Sequence, residues 1–505
     1  MMERRKFMQT SGLGLIAGIF MPSILLESCK KSTMNMNAFK PVTVKDGLFN
    51  TLLPNPTFTN PSDINSLVAQ NTTAEIINGK TTSVLGYHNG ILGPMIKANN
   101  GDAISIAFSN QLSEETNVHW HGLLIPQIMD GHPDQVVTSG GSYNYQFTIN
   151  QRAGLYWYHP HPEMKTARQA YMGLASFFIV NDTEESALNL PSGDYEIPLV
   201  IQDKRFYGDY SLNYSPDMID VMNGYFGQYI LVNGLFSPYK EIETKWYRIR
   251  ILNGSTARVY NLALSNGASF YVIGSDGGLL STPESISSLL LAPGERVDLL
   301  IDFTSYSVDT EIFLQSNIFS GASIQGLDQF KILKFKVTKQ TTESFTLPSM
   351  LSTISTIPIS SNLTTRTWKL GGMGMNSSSG GMGGMNSGGS NMQMNHTINN
   401  KTYNSSEILA TVQAGSTEIW EIDNSMMNEI HPIHIHGVQF QVVSRTGGRG
   451  QLIASEKGWK DTVLLMPDEK VKLIMTFPQH KGKFLIHCHN LEHEDSGMMV
   501  NFEIV

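Results

Sequence analysis

Cysteine is nearly absent: Cys29 and Cys488 are the only two in 505 residues. No disulfide framework can therefore hold this chain together, whatever compartment it occupies. Charge is also scarce, at 16% Asp, Glu, Lys and Arg, and the acids outnumber the bases by 44 to 35. A net charge of −9 argues against nucleic acid as a partner. No uninterrupted apolar run reaches the roughly 18 residues that a spanning helix needs, which excludes a polytopic membrane protein. Long amphipathic helical patterns are scarce as well. What the chain has in excess is Gly (45) and Met (25). Its length allows about three domains at roughly 100–200 residues each.

The first 30 residues read as an address. Arg4, Arg5 and Lys6 precede an uncharged stretch from Gly12 to Leu26 that only Pro22 interrupts. Residues 4–8 resemble a twin-arginine signal, the route that exports folded proteins. A periplasmic destination is the expectation. Leu26-Glu27-Ser28-Cys29 resembles a lipoprotein box in which Glu27 fits poorly. A lipid anchor at Cys29 and a simple cleaved signal are the two alternatives.

Strand patterns dominate beyond residue 45. Tyr247 to Leu252 and Lys334 to Val337 alternate apolar with polar residues, and Gly, Pro and Asn clusters punctuate such runs. The class expected is all-β, built of sandwiches or barrels. The chain also repeats itself. Gln151-x-x-Gly154-x-x-x-x-His159-x-His161 returns 328 residues later as Gln479-x-x-Gly482-x-x-x-x-His487-x-His489. Pro293-x-Glu295-Arg296-Val297 returns as Pro467-x-Glu469-Lys470-Val471, and His119-Trp120-His121-Gly122 as His434-Ile435-His436-Gly437. These offsets predict three copies of one β-domain, over residues 45–182, 183–340 and 360–505. The middle copy has no histidine, since none lies between His161 and His396.

Ten of the 14 histidines fall in four clusters: His119 and His121; His159 and His161; His431, His434 and His436; His487, His489 and His493. On a strand, residues i and i+2 share a face, so each His-x-His pair turns two imidazoles one way. In His487-Cys488-His489 the thiol faces the opposite way, and one strand can serve two metal sites back to back. Two His, a Cys and a weak axial Met are the blue-copper ligand set. His431, Cys488, His493 and Met498 supply those groups. The eight remaining clustered imidazoles suit copper, with zinc the main competitor. Zinc would account for a histidine cluster but not for the Cys-His-Met set beside it.

With these motifs in place the chain resembles the multicopper oxidases, over nearly all of residues 45–505. The resemblance implies three cupredoxin-like Greek-key domains and four copper ions. His431, Cys488, His493 and Met498 would hold the type 1 copper, and His119 and His434 the type 2 copper. His121, His159 and His489 would bind one type 3 copper; His161, His436 and His487 would bind the other. The trinuclear cluster would sit between the first and third domains, with the middle domain a spacer. A reductant would deliver single electrons to the type 1 site, and Cys488 would pass them through its backbone to His487 and His489, where O2 becomes water. That reduction consumes protons. Asp130, after the first His-x-His-Gly, matches the family's relay acid, and Glu494, directly after His493, is the second candidate. Asp461 is expected to accept a hydrogen bond behind the metal ligands. The family's usual state is a monomer.

Gly371 to Met394 contains only Gly, Ser, Met, Asn and Gln, with nine Gly and six Met, Met373 and Met375 among them. Its composition predicts a mobile surface insertion. Thioethers are soft ligands that select Cu(I). The tract resembles the methionine-rich cover of periplasmic copper-efflux oxidases, which turn Cu(I) into Cu(II); a flexible linker that tolerates Met is the alternative. Met426, Met427 and Glu429, just before His431, are the candidate substrate-copper ligands. Met427 takes the family's acid position and Glu429 supplies the acid instead. The electron donor expected is Cu(I), in copper tolerance, with a laccase acting on small phenols or aromatic amines as the alternative and a non-catalytic copper-sequestering protein as the third reading. His88, His132 and His480 read as structural; His396, beside the methionine tract, is within reach of copper.

Overall fold

The computed structural model describes residues 42–64, 66–322, 324–374 and 395–505, and for residues 373 and 374 the backbone alone. The residues read as an export signal, Cys29, Met375 and most of the methionine-rich insertion lie outside the described residues. Among the described residues strands dominate, arranged in six sheets of four to eight strands. Alternation builds them where one face meets solvent. The strand Ala103–Asn110 exposes Ala103, Ser105 and Ala107 and buries Ile104, Ile106 and Phe108. Three large apolar cores follow the chain: one around Ile106, Trp120 and Tyr158, a second around Ile249, Leu299 and Phe335, and a third around Trp420, Ile433 and Phe484.

The elements that matter for function are few. In the first domain they are β1 (His119–His121), β2 (Gly154–His159) and the helix α1 (Thr166–Met172). The middle domain contributes the helix α2 (Met218–Asn223) and the strands β3 (Trp246–Asn253) and β4 (Arg296–Asp302). The third domain adds β5 (Thr364–Gly374), β6 (Asn395–Ile398), β7 (His431–Ile435), β8 (Thr462–Leu465), β9 (Gly482–Cys488), the helix α3 (Leu491–Asp495) and β10 (Met499–Ile504).

Register does the positioning. β1 runs antiparallel to β2 with His119 opposite His159. β7 runs antiparallel to β9 with His434 opposite His487 and Ile433 opposite Cys488. Each pair of histidine-bearing strands is thus one two-stranded ladder. Gly122 closes the first motif at φ +85°, where a Cβ would lie 2.5 Å from Asp461 Oδ2 and 2.8 Å from Arg296 Nη2. Only glycine lets that carboxylate and guanidinium approach the turn.

β3 departs from the half-exposed strand that its alternation predicts: every residue from Tyr247 to Asn253 is buried. The polar members are ion-paired inside. Arg248 donates to both oxygens of Glu185 at 2.9 Å, and Arg250 to Asp298 Oδ1 and Glu196 Oε1 at 3.0 Å each. Burial is tolerated because each guanidinium meets carboxylates.

Candidate metal centres

The first centre lies in the third domain. β7 begins with His431, β9 ends with Cys488, and α3 presents His493. Cys488 Sγ is 3.5 Å from His431 Nδ1 and 3.7 Å from His493 Nδ1, and the two nitrogens are 3.1 Å apart. All three residues are fully buried. The loop back to β10 closes on the site: Cys488 N–H donates to the Met498 carbonyl (3.0 Å) and Met498 N–H to the His493 carbonyl (2.9 Å). Met498 is buried in the same apolar core as Cys488. His493 Nε2 donates to the Met222 carbonyl of α2 at 3.0 Å, which leaves Nδ1 as the free lone pair on the thiol side. Burial pushes the Cys488 thiol far above its usual range, so a bound cation must drive its ionisation.

The second centre gathers all eight remaining clustered histidines where the first and third domains meet, each at most 1% exposed. His119 stacks on His436 (ring centroids 3.9 Å apart) and His121 on His434 (3.7 Å). Six of the eight spend one nitrogen on an oxygen acceptor. His119 Nδ1 bonds the Asp130 carbonyl (2.7 Å), His159 Nδ1 the Pro160 carbonyl (2.9 Å) and His434 Nδ1 the Asp461 carbonyl (2.9 Å). His436 Nδ1 bonds Asp130 Oδ2 (2.7 Å), His487 Nδ1 the Cys488 carbonyl (3.1 Å) and His121 Nε2 Asp461 Oδ1 (3.0 Å). The opposite nitrogens of His119, His121, His159 and His434 are buried with no partner, as are both of His489. Elsewhere bare nitrogens confront each other: His487 Nε2 lies 3.1 Å from His436 Nε2 and 3.4 Å from His161 Nε2.

A buried nitrogen without a partner costs about 1–3 kcal/mol. Metal-binding histidines show this pattern: one nitrogen held by an oxygen acceptor, the other bare and aimed inward. Burial also keeps these rings neutral, the form that ligates. It holds His119, His121, His161, His436 and His489 well below the usual histidine range and His159 down to about 3. The residues present therefore fit soft or borderline metal ions.

Compact three-ligand groups form from His161, His436 and His487, from His431, Cys488 and His493, from His119, His121 and His159, and from His119, His434 and His436. Among the described residues, no such group contains His489. Its ring lies 5.0 Å from that of His121 and 5.4 Å from that of His159. The set His121, His159 and His489 is thus adjacent but looser than the others.

Both candidate relay acids reach the cluster. Asp130 is 1% exposed, with Oδ2 on His436 and Oδ1 3.6 Å from His119 Nδ1; burial raises its pKa well above the usual carboxylate range. Glu494 is 3% exposed, with Oε2 3.0 Å from His487 Nδ1 and Oε1 3.5 Å from His161 Nδ1.

The middle domain is more than the spacer expected from the sequence. Arg296, the first residue of β4, grips Asp461 with Nη1 on Oδ1 (2.7 Å) and Nη2 on Oδ2 (2.5 Å). Asp461 in turn orients His121 and His434. Burial opposes ionisation of Asp461, but Arg296 and His121 outweigh it and hold its pKa well below the usual range. Sequence reasoning missed Arg296, and it could not see the Met222 carbonyl at all, because a backbone oxygen leaves no residue signature. The one signal for Arg296 was its place in a repeat motif whose second copy keeps a cation there, Lys470.

The substrate candidates separate. Met427 is 9% exposed, and its Sδ accepts the Gly372 N–H at 3.0 Å. A Cβ on Gly372 would stand 3.9 Å from Glu429 Oε2, so Met427 and Glu429 share one neighbourhood where β5 leads into the insertion. Met426 is 88% exposed and takes no part in it. The side chains of Met373 and Met375 fall outside the described atoms.

With this geometry in place, comparison with known proteins gives one family. Sequence-family models described as multicopper oxidase match residues 68–185, 227–345 and 381–505. The chain is 33% identical over 444 residues to the multicopper oxidase mco of Staphylococcus haemolyticus, covering 87% of this chain and 88% of that protein. It is 32% identical over 481 residues to the laccase of Bacillus subtilis, covering 84% and 90%. In three dimensions it resembles the McoA multicopper oxidase of the hyperthermophile Aquifex aeolicus, with a TM-score of 0.81 at 36% identity over 90% of this chain and 99% of that one. Three cupredoxin-like domains, a buried Cys-His pair and a shell of half-satisfied imidazoles thus find their explanation together: the chain belongs to the multicopper oxidases, copper-dependent oxidoreductases.

Proposed function

We propose that this protein is a cuprous oxidase, coupling one-electron oxidation of Cu(I) to reduction of O2 to water, exported to the periplasm and serving copper tolerance. The observation that carries the reading is the placement of Met427 and Glu429. A buried thioether and a carboxylate share one neighbourhood at the root of the methionine-rich tract, two to four residues before His431. Thioether selects Cu(I), and a carboxylate favours the Cu(II) product.

Four copper ions would be held as the family pattern implies. His431, Cys488, His493 and Met498 would hold type 1; His119 and His434 type 2; His121, His159, His489, His161, His436 and His487 the type 3 pair. Copper at these residues supplies the one-electron oxidation of the donor and the four-electron reduction of O2. The chain supplies the rest. Cys488 is bonded in sequence to His487 and His489, so its own backbone joins the two centres. Asp130 accepts from His436 Nδ1 and Glu494 stands 3.0 Å from His487 Nδ1, which places both carboxyl groups where protons for O2 reduction can pass. Burial excludes bulk water and keeps the imidazoles neutral.

A laccase reading shares the same residues and differs only in access. One observation favours Cu(I) over a bulky phenol: the Nε2 edge of His493 is already occupied by the Met222 carbonyl. The test is deletion of residues 375–394 with both donors measured. Cu(I)-driven O2 uptake should fall and phenol oxidation should rise. If neither rate moves, the tract is a linker and the reading loses its support.

A further inference from the structure

His396 lies outside every ligand set assigned above. It sits on β6, the strand that follows the methionine-rich tract and pairs with β5, with Gly371 opposite Thr397. Its ring stacks on His493 with centroids 4.0 Å apart and planes 24° apart, and lies 6.4 Å from the ring of His431. Its Nδ1 is 2.6 Å from Ser496 Oγ. That hydroxyl donates its own hydrogen to the His493 carbonyl at 3.0 Å, so it accepts from His396 Nδ1–H. Nε2 is then the bare lone pair. It is buried, in a residue 1% exposed, and has no hydrogen-bond partner. The Met222 carbonyl, which accepts from His493 Nε2 at 3.0 Å, also lies beside His396.

A bare imidazole nitrogen, fixed in tautomer and stacked on a ligand of the Cys488 centre, is the arrangement that the trinuclear histidines show, repeated once outside both centres. We propose that His396 Nε2 is the docking ligand for the incoming Cu(I) ion, the last protein atom it touches before it is oxidised. The inference rests on the cuprous oxidase reading. Cu(I) binds Nε2, loses one electron to the centre held by His431, Cys488 and His493 through the stacked ring of His493, and leaves as Cu(II). O2, the family's acceptor, takes the electrons in the end. Imidazole accepts both copper oxidation states, which suits a site where the ion arrives as one and departs as the other.

The test uses the copper-loaded protein, with Ag(I) as a redox-inert stand-in for Cu(I). Wild type, His396→Phe and His396→Met are compared. Phenylalanine keeps the stacked ring and removes the nitrogen; methionine restores a soft ligand. Calorimetric titration should show Ag(I) binding weakened about tenfold or more in His396→Phe and recovered in His396→Met. The ratio of kcat/KM for Cu(I) to kcat/KM for a small phenol should fall by a similar factor in His396→Phe, chiefly through KM. Unchanged Ag(I) affinity in His396→Phe overturns the proposal. So do equal losses with both donors together with a shifted blue absorption band, since His396 would then only brace His493. If wild type oxidises phenols but not Cu(I), while Ag(I) binding still depends on His396, the cuprous oxidase reading fails and the metal site stands.

Discussion

Removing the Arg296 guanidinium should damage stability and the eight-histidine centre in one stroke, without touching a candidate metal ligand. Arg296 is fully buried and its donors are all engaged. Besides Asp461 they reach the carbonyls of Leu155 (2.9 Å), Gly294 (2.9 Å) and Asp276 (3.2 Å). Arg296→Met keeps much of the volume but leaves Asp461 as a buried charge without its main partner. Breaking a buried pair on one side costs about 3–5 kcal/mol. The pH dependence has a definite sign. In the wild type Asp461 is depressed below its unfolded value, so its contribution is present at neutral pH and is lost as pH falls through the folded pKa. Without Arg296, burial raises Asp461 above its unfolded value. The native state then binds the extra proton, and the variant's deficit is largest at neutral pH and shrinks as pH falls toward the ordinary carboxylate range. Function follows through His121, which would lose an ionised acceptor at Nε2; copper retention at the cluster should fall roughly 10–100-fold. Urea denaturation of the metal-free protein between pH 4 and 8 reads the first effect, and copper content after dialysis against a chelator reads the second. A deficit below about 1 kcal/mol, or one that does not change with pH, would refute the reasoning.

Three further outcomes are expected. Cys488→Ser should abolish the blue absorption and donor oxidation with either donor while leaving the fold intact, as circular dichroism and anaerobic copper counting will show. Asp130→Asn keeps an acceptor for His436 Nδ1 but removes the carboxylate, so O2-limited turnover should drop about 10²–10⁴-fold at constant copper content and constant donor KM. Lys204 is fully buried, and burial holds its pKa down to about 7; the unfolded chain therefore binds more protons than the native state above that pH, and stability should rise from about pH 7 to 10. Lys204→Met should flatten that rise in denaturant midpoints.

Much of the site was legible because strand geometry is rigid. A period of two turns His119 and His121 of β1 to one side, whereas β2, β7 and β9 each end before the second histidine of their motif, so His161, His436 and His489 reach the centre from just beyond the strand ends. The structure pairs these strands in the register His119–His159 and His434–His487. What stayed hidden was decided by contacts between distant segments. Alternation in Tyr247 to Leu252 suggests a half-exposed strand, because sequence cannot show that Glu185, Glu196 and Asp298 will neutralise the arginines inside. The histidine-free middle domain looked inert, although it provides Arg296 behind His121 and the Met222 carbonyl behind His493. Sorting Met426, Met427 and Glu429 also needed the fold, since adjacent residues in a turn can point to solvent or to the core, and here Met426 does the former and Met427 the latter.

The most direct measurement is O2 uptake by the copper-loaded full chain with a Cu(I) complex as sole reductant, run beside a small phenol. Rapid uptake with Cu(I), with Cu(II) formed in proportion to the O2 consumed and slow turnover of the phenol, is the predicted result. Rapid phenol turnover with no uptake from Cu(I) would contradict the account and make the protein a laccase.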